Sequence, residues 1–303
     1  MAQKIPFTRD LNFEYGVVDQ LGPGIRRVIA NNPGPFTLYG TGTYIIGEGS
    51  VAVIDPGPEL PKHFDALMIA LEGQTVSDIV ITHTHSDHSP LSRRLADATG
   101  ARICGYGGLL PSQEAGSDGL FPMEEAIDQN LKLDTELFNG DLIKGDGWTL
   151  EAVHTPGHIA NHMCFAYLEE EVLFSGDHVM GWSTSVVIPP DGSMTEYMNS
   201  LSILLERSET TYWPTHGPAI KNPKPFVQAY IDHRLERERQ ILEQLDCGPQ
   251  RIPDMVKGMY ADVPKELHPA AGQSVYAQII KLVEEEIVVC QEAPRLDSLY
   301  FLK

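Results

Sequence analysis

The stretch 78–88 reads Asp-Ile-Val-Ile-Thr-His-Thr-His-Ser-Asp-His and is the most informative part of this chain. An apolar run typical of a buried strand leads directly into four polar residues: His83, His85, Asp87 and His88. At this histidine content, the pattern H-x-H-x-D-H arises by chance about once in a thousand chains of this length. A strand fixes the start of the loop that follows it, so alternate side chains of the loop can converge. Imidazole nitrogens and carboxylate oxygens are the ligands that zinc prefers, and the stretch therefore predicts a metal site.

Three later motifs supply further donors in the same chemical classes. They read Thr155-Pro-Gly-His158, Phe174-Ser-Gly-Asp177 and Pro214-Thr-His216-Gly. His154 and His158 flank the same Thr-Pro-Gly turn, so the residues alone leave both as candidates for the donor from that turn.

In this order, the motifs resemble the signature of the metallo-β-lactamase superfamily over most of residues 30–220. With its helical tail, the whole chain resembles the branch typified by β-lactamase-like protein 2, in which a winged-helix-like domain follows the hydrolase domain. The resemblance implies an α/β fold. We expect an αββα sandwich over residues 1–220, followed by a small helical winged-helix-like domain over residues 221–303.

The resemblance also implies a dinuclear metal site and favours His158 over His154. The first ion would be bound by three histidines, namely His83, His85 and His158. The second would be bound by Asp87, His88 and His216, and Asp177 would bridge the two ions. Two zinc ions are expected, with iron or manganese as alternatives. Asp87 is expected to be catalytic as well, because it would orient the attacking hydroxide.

Three further residues are candidates for orienting ligands or moving protons: Asp55, His162 and His178. Asp55 ends a hydrophobic strand, at a position where relatives often hydrogen-bond a ligand histidine; formation of a turn is the alternative. For both histidines the alternative is a plain structural role. Three other histidines lie away from the motifs and are expected at the surface: His63, His233 and His268.

The implied site predicts hydrolysis by a metal-bound hydroxide. Two divalent ions about 3.5 Å apart lower the pKa of a shared water to near 7, which provides a nucleophile without any serine or cysteine. The sequence contains neither a G-x-S-x-G motif nor a phosphate-binding G-x-x-x-x-G-K motif. The expected substrate is an ester, thioester, lactone or lactam of a small molecule.

Two alternatives for the function stay open. The chain could be an endoribonuclease for single-stranded RNA, because the branch it resembles includes proteins that cut RNA. It could also be a metal sensor that reads DNA through the winged helix. The formal net charge of −20 argues against a broad phosphate-binding surface. Over 273–287, the candidate recognition helix carries Lys281 against three consecutive glutamates. We therefore expect the tail to pack, to support a homodimer or to wall the active-site cleft.

The composition describes an ordinary soluble globular protein, and we expect a cytoplasmic location from its cysteines. Residues 1–220 carry a net charge of −18 and residues 221–303 a net charge of −2, and this step marks the expected domain boundary. The four cysteines are scattered, as expected of reduced thiols. Neither a secretory leader nor an uninterrupted run of about 18 apolar residues is present, so no membrane association is expected.

Short β-branched and aromatic runs predict the strands of the first domain. One of these predicted strands is 36–40, which precedes the runs at 44–46 and 51–54. In the tail, helical spacing predicts one packed face for Ile231, Leu235, Leu242 and Leu245.

Overall fold

A computed structural model describes residues 4–108, 126–261, 265 and 268–303 of the chain. Within those ranges, no helix is both long and apolar enough to cross a bilayer. The described residues form two large sheets that face each other, with helices outside both, and a C-terminal helical unit with a small third sheet.

The first sheet has seven strands that pair in chain order, antiparallel up to β4 and parallel from there on. The strands are β1 (Val18–Gly22), β2 (Ile25–Ile29), β3 (Gly42–Ile46), β4 (Ser50–Ile54), β5 (Thr75–Val80), β6 (Arg102–Tyr106) and β7 (Thr135–Leu137). Alternate residues of each strand point to opposite faces of the sheet. On one face, Ile45 and Val53 pack against the helices α1 (Pro61–Ala70) and α2 (Ser92–Thr99). On the other face, Ile46 and Ile54 pack against the second sheet.

The second sheet has six strands in the order β13-β12-β11-β10-β9-β8. They are β8 (Leu142–Lys144), β9 (Thr149–His154), β10 (Met163–Tyr167), β11 (Val172–Gly176), β12 (Thr211–Pro214) and β13 (Ile220–Lys221). Its inner face contributes Phe165 and Phe174 to the core between the sheets. Its outer face is covered by α3 (Met194–Glu206) and α4 (Pro223–Asp246). The layers are helix, sheet, sheet and helix, which confirms the αββα sandwich.

The C-terminal unit is a winged helix, as expected. It combines the end of α4 with α5 (Ile252–Met259), α6 (His268–Glu284) and a sheet of β14 (Gln250–Arg251), β15 (Val288–Cys290) and β16 (Leu299–Leu302). The continuous helix α4 takes part in two cores. Phe226 and Tyr230 pack against the outer face of the second sheet, whereas Ile241 and Leu245 pack in the winged helix.

Two expectations about local structure are wrong. Residues 36–40 form a turn rather than a strand, with Leu38 in a left-handed conformation at φ 55° between Pro35 and Gly40. The predicted packed face of α4 is also shifted, because Leu235 is 46% exposed and Arg234 beside it is buried. A helix that packs against two different cores does not keep one apolar stripe along its length.

Candidate metal centre

The four motifs meet at one end of the sandwich because each follows a strand of one of the two facing sheets. The stretch 83–88 follows β5, the Thr155-Pro-Gly-His158 turn follows β9, Asp177 directly follows β11, and His216 lies two residues after β12. The structure brings all seven predicted ligand residues together there. They form three overlapping groups whose donor atoms lie within 4.8 Å of one another: His83, His85 and His158; His83, His88 and Asp177; and Asp87, His88 and His216.

The first group consists of three imidazole rings that are nearly perpendicular to one another, with interplanar angles of 82°, 83° and 82°. Nδ1 of His85 lies 2.9 Å from Nε2 of His83 and 3.1 Å from Nε2 of His158. Two nitrogens bound tetrahedrally to one zinc ion lie about 3.3 Å apart, given zinc–nitrogen distances of 2.0–2.1 Å. These two distances are thus within a few tenths of an ångström of the spacing that a single ion requires.

The last of the three groups, Asp87, His88 and His216, combines two imidazoles with a carboxylate. We call it the second group and the three histidines the first group, because these are the expected ligands of the two ions. Nε2 of His216 lies 3.1 Å from Oδ2 of Asp87, and Nε2 of His88 lies 3.5 Å from Oδ1 of the same residue. Neither Nε2 atom makes a hydrogen bond in the described part of the chain, although both are buried. Buried nitrogens without a hydrogen-bond partner are unusual. Because both lie close to carboxylate oxygens, either a proton or a metal cation between nitrogen and oxygen would supply the missing partner.

Asp177 lies between the two groups. Its Oδ2 is 3.4 Å from Nε2 of His216, 3.5 Å from Nε2 of His88 and 4.0 Å from Nε2 of His158. Its Oδ1 is buried and makes no hydrogen bond among the described residues. One carboxylate therefore reaches both groups, as a bridge between two ions must.

Burial and nearby charges shift the histidine pKa values of the two groups in opposite directions. Burial lowers the pKa of His85 to about 3 and that of His83 well below its usual value, with neighbouring histidines adding to the effect. These rings are therefore neutral at pH 7, the form that binds metal. Burial also opposes the charge of His88, but the nearby carboxylates, led by Asp87, outweigh it and raise its pKa well above the usual value. This second group requires positive charge, which protons or a divalent cation can supply.

The outer nitrogens of the histidines fix the ring tautomers. Nδ1 of His83 donates to Oγ1 of Thr82 at 3.0 Å, and Nδ1 of His216 donates to the carbonyl of Gly40 at 3.1 Å. His88 donates from Nδ1 to Asp55 at 2.9 Å. In each ring the proton on Nδ1 leaves the lone pair of Nε2 directed at the site, which is the usual arrangement of metal-binding histidines. The residues present therefore fit a metal centre.

His158 is held in a similar way, and His154 is not part of the cluster. Nδ1 of His158 donates to the carbonyl of Val186 at 2.6 Å. His154 donates from Nε2 to the carbonyl of Ala160 at 3.1 Å, and its ring stacks on Tyr106 at 4.1 Å between centroids. Of the two histidines that flank the turn, the structure brings only His158 to the other donors.

His162 supports Asp177 through the backbone. Its Nε2 accepts from the main-chain N–H of Asp177 at 3.1 Å, and its Nδ1 donates to Thr155 at 2.9 Å. Gly176 precedes Asp177 with φ 51°, and a Cβ there would lie 2.4 Å from Nε2 of His162. A glycine is therefore required at this position for the contact to form.

The other predicted supporting histidine, His178, lies next to His162, with 5.8 Å between the two ring centroids. Its ring packs on Tyr197 at 4.6 Å, and neither of its ring nitrogens makes a hydrogen bond among the described residues. Burial lowers the pKa of His178 to about 3, so the ring is neutral at pH 7. Within the described ranges, His178 therefore makes no hydrogen bond to a predicted ligand through its ring.

His63 corrects an expectation, because it is buried rather than at the surface. It is 3% exposed on α1, and its Nε2 lies 2.9 Å from Oγ1 of Thr43. His233 and His268 are partly exposed.

A pocket opens beside the cluster, and sequence reasoning did not find it. It is bordered by His158 and Asp177 and by an apolar wall of Pro35, Phe36, Met180, Trp182 and Val186. Two segments more than 140 residues apart in the chain form this wall, so no local pattern could reveal it. Phe36 lies in the turn for which the sequence predicts a strand.

Residues 37–216 match the metallo-beta-lactamase superfamily, and residues 252–294 match the beta-lactamase associated winged helix domain. The chain is 31% identical over 276 residues to a beta-lactamase-like protein 2 homolog of Caenorhabditis elegans, covering 89% of this chain and 88% of that protein. It is also 31% identical over 277 residues to an atrochrysone carboxyl ACP thioesterase of Aspergillus chevalieri, covering 87% and 82% of the two chains.

Solved structures share the fold over nearly the whole chain. A beta-lactamase domain protein from Burkholderia ambifaria aligns with a TM-score of 0.78 at 18% identity, covering 97% of this chain and 96% of that one. A metallo-beta-lactamase family protein from Thermus thermophilus aligns with a TM-score of 0.71 at 21% identity, covering 92% and 99%. Together with the histidine and aspartate cluster, these similarities show that the chain belongs to the metallo-beta-lactamase superfamily and carries the beta-lactamase associated winged helix domain.

Proposed function

We propose that this protein is a dinuclear zinc hydrolase that cleaves an ester, thioester, lactone or lactam of a small molecule. The observation that carries the proposal is the position of Asp177, whose Oδ2 lies within 4.0 Å of Nε2 of His158 on one side and of Nε2 of His216 on the other. This arrangement suits two ions that share one carboxylate. Within the proposed classes we favour a thioester, because a relative that matches most of this chain is named a thioesterase.

The proposed ligands are those implied by the sequence. His83, His85 and His158 would hold the first ion, and Asp87, His88 and His216 the second, with Asp177 between them. When bound, such ions would acidify a water molecule and polarise the carbonyl group of the substrate.

Asp87 is the proposed catalytic residue. Its side chain is 15% exposed, whereas those of His88 and His216 are fully buried. The Asp87 carboxylate therefore lies on the open side of the cluster, where it can accept a hydrogen bond from the attacking water and hold that water against the substrate.

The apolar wall beside the cluster would position the substrate. Phe36, Trp182 and Val186 offer contacts to the acyl part of a substrate and exclude water from the reacting bond. This lining favours an uncharged acyl group over a polyanion.

The RNA and DNA alternatives have less support. Lys281 is the only lysine or arginine of α6, and its Nζ lies 2.8 Å from carboxylates of both Glu238 and Glu285. A recognition helix needs cations that face the nucleic acid, whereas Lys281 is already paired with two carboxylates.

Three further features are proposals: a domain boundary between residues 220 and 221, a homodimer and a cytoplasmic location. The location is supported by the free thiols of all four cysteines, which fit a reducing compartment.

The test is a substrate panel run with zinc-loaded protein. It would contain acyl thioesters of N-acetylcysteamine, p-nitrophenyl esters, a lactone, a lactam and labelled single-stranded RNA, each also offered to the Asp87→Ala variant. We expect cleavage of a thioester or ester by the wild type alone, with about two zinc ions per chain by elemental analysis. Cleavage of RNA alone would replace this proposal by the nuclease. Zinc binding without cleavage of any substrate in the panel would overturn it.

A further inference from the structure

One segment of the chain, residues 180–187, both walls the pocket and supports a proposed ligand. Met180, Trp182 and Val186 line the pocket. The carbonyl of Val186 also accepts the hydrogen bond from Nδ1 of His158 at 2.6 Å. We call residues 180–187 the wall segment. Because it has no regular secondary structure, its position depends on contacts with other elements.

The N-terminal segment supplies one of those contacts, a hydrogen bond from the N–H of Thr8 to the carbonyl of Gly181 at 3.0 Å. Further contacts come from α4, the helix that leads into the winged helix. The hydroxyl of Tyr230 lies 2.6 Å from the carbonyl of Met180 and 2.5 Å from that of Ser183, and it accepts from the N–H of Met180 at 3.1 Å. One turn further along, Nη2 of Arg234 donates to the carbonyl of Ser185 at 2.5 Å. The helix thus holds the wall segment along most of its length, up to the residue before Val186.

Arg234 is an unusual residue for this position. It is 5% exposed, its guanidinium lies 5.2 Å from the ring centroid of Tyr197, and its Nε makes no hydrogen bond within the described ranges. Burying a guanidinium is costly, and apolar replacements of buried charges are often neutral or stabilising. Stability alone therefore does not explain an arginine at this position. Its hydrogen bond to the carbonyl of Ser185 offers an explanation, because that bond fixes the backbone of the wall segment.

The other side of α4 contacts the winged helix. Nε2 of Gln278 on α6 donates to the main-chain carbonyl of Arg234 at 3.3 Å. Hydrogen bonds therefore run from α6 through Arg234 to Ser185, and the neighbouring Val186 carbonyl holds His158. The connection joins the C-terminal domain to the first group of proposed ligands.

We propose that Arg234 is a positioning residue for the metal centre: by fixing the wall segment, it holds the Val186 carbonyl so that His158 keeps its proton on Nδ1 and directs Nε2 at the metal. The winged helix, through α4, is then part of the active-site support. The inference rests on the proposed function, since it requires a metal at His158. It assigns a role to a residue that does not line the pocket and that, within the described part of the chain, makes no hydrogen bond to a proposed ligand.

The test compares three variants by zinc titration against a chromophoric chelator. Arg234→Met removes the donor but keeps an unbranched apolar side chain, and Arg234→Lys keeps a donor. Lys281→Met is the matched control, because Lys281 is also largely buried and joins α6 to Glu238 of α4, but it does not contact the wall segment. All three should be monitored by thermal unfolding, so that loss of fold is distinguished from loss of metal.

We expect Arg234→Met to bind one of the two zinc ions at least about 10-fold more weakly than the wild type does, with a melting temperature close to that of the wild type. Arg234→Lys should restore part of that affinity, and Lys281→Met should keep it in full. The visible absorption bands of the cobalt(II)-substituted protein should shift in Arg234→Met and stay unchanged in Lys281→Met, because these bands report the geometry around the ion.

Wild-type zinc affinity in Arg234→Met would overturn the proposal, as would an equal loss of affinity in Lys281→Met. These outcomes are separate from the failure of the proposed function. A protein that binds two zinc ions but hydrolyses no acyl substrate loses its proposed function and leaves the role of Arg234 open to this same titration. A protein that binds no zinc loses both.

Discussion

The carboxylate of Asp55 accepts a hydrogen bond from Nδ1 of His88 at 2.9 Å, and both side chains are fully buried. The same carboxylate accepts from the N–H of Thr82 at 2.8 Å, from the hydroxyl of Thr82 at 2.7 Å and from the hydroxyl of Thr215 at 3.0 Å. Thr82 in turn accepts from Nδ1 of His83. One aspartate therefore orients His88 directly and His83 through Thr82, and it ties down the residue before His216.

Replacing Asp55 by asparagine should damage both stability and metal binding. An asparagine presents two N–H donors where the site supplies four donors, so several buried groups lose their partner. We expect the free energy of unfolding to fall by about 3 kcal/mol and zinc affinity to fall about 10-fold or more. Urea denaturation of the metal-free variant and zinc titration would measure the two effects.

Asparagine is the right replacement here because Asp55 has φ 48°. Asn tolerates this left-handed conformation better than alanine does, so the backbone contribution stays small. An Asp55→Asn protein with unchanged stability would contradict the role assigned to the carboxylate.

The two histidines that flank the Thr-Pro-Gly turn should behave differently on replacement. His158→Ala removes a nitrogen that lies 3.1 Å from Nδ1 of His85, so we expect about one zinc ion fewer per chain and loss of turnover. His154→Ala removes a ring that stacks on Tyr106 and should retain both the metal and most of the activity. Elemental analysis of the two variants decides the matter. Loss of zinc in His154→Ala, with zinc retained in His158→Ala, would reverse the assignment.

Gly157 should be essential for the placement of His158. It has φ 135°, and a Cβ there would lie 2.3 Å from the Cα of Tyr197 on α3. Because this neighbour is backbone, Gly157→Ala must displace either the turn or the helix. We expect a loss of several kcal/mol in the free energy of unfolding, together with reduced zinc content.

Gly147→Ala is the control for this substitution. Gly147 has φ 77°, and a Cβ there would have no atom of the described residues within 4 Å, apart from its own chain neighbours. The substitution therefore measures the cost of an alanine at a positive φ without a clash, which is about 1–2 kcal/mol in the left-handed region. If both variants lose the same stability by urea denaturation, the close approach to Tyr197 is unimportant.

The clustering of these histidines and aspartates was predictable because its signal is local. His83, His85 and His88 lie within six residues after a strand, and that spacing identifies the chemistry before any fold is known. The choice between His154 and His158 was open at the level of the residues, since what separates them is tertiary. The deciding contact is the carbonyl of Val186, which lies 28 residues away in the chain.

Other features could not be predicted, because they depend on contacts between distant elements. Arg234 was overlooked since a helix shared by two cores has no single apolar face. Residues 36–40 have the composition of a strand, but they turn and contribute Phe36 to the pocket. His63 was expected at the surface, because nothing near it in sequence reveals its contact with Thr43, which comes from a neighbouring strand.

The burial of His63 should make stability depend on pH in a defined window. Burial lowers its pKa to about 4, whereas in an unfolded chain the pKa is about 6.5. Above pH 6.5 the ring is neutral in both states, so this titration does not reduce the free energy of unfolding. As the pH falls from 6.5 to 4, the unfolded chain takes up a proton that the folded protein does not, so the free energy of unfolding falls, by at most about 3 kcal/mol.

His63→Gln removes this titration while keeping a group that can hydrogen-bond Thr43. Urea denaturation of the metal-free wild type and variant at pH 7.5 and pH 4.5 measures the difference between their pH dependences. We expect the wild type to lose about 2 kcal/mol more than the variant between the two values, because only the wild type carries the imidazole that must stay neutral in the fold. Equal losses in the two proteins would mean that His63 takes up its proton without unfolding, and that its pocket admits water.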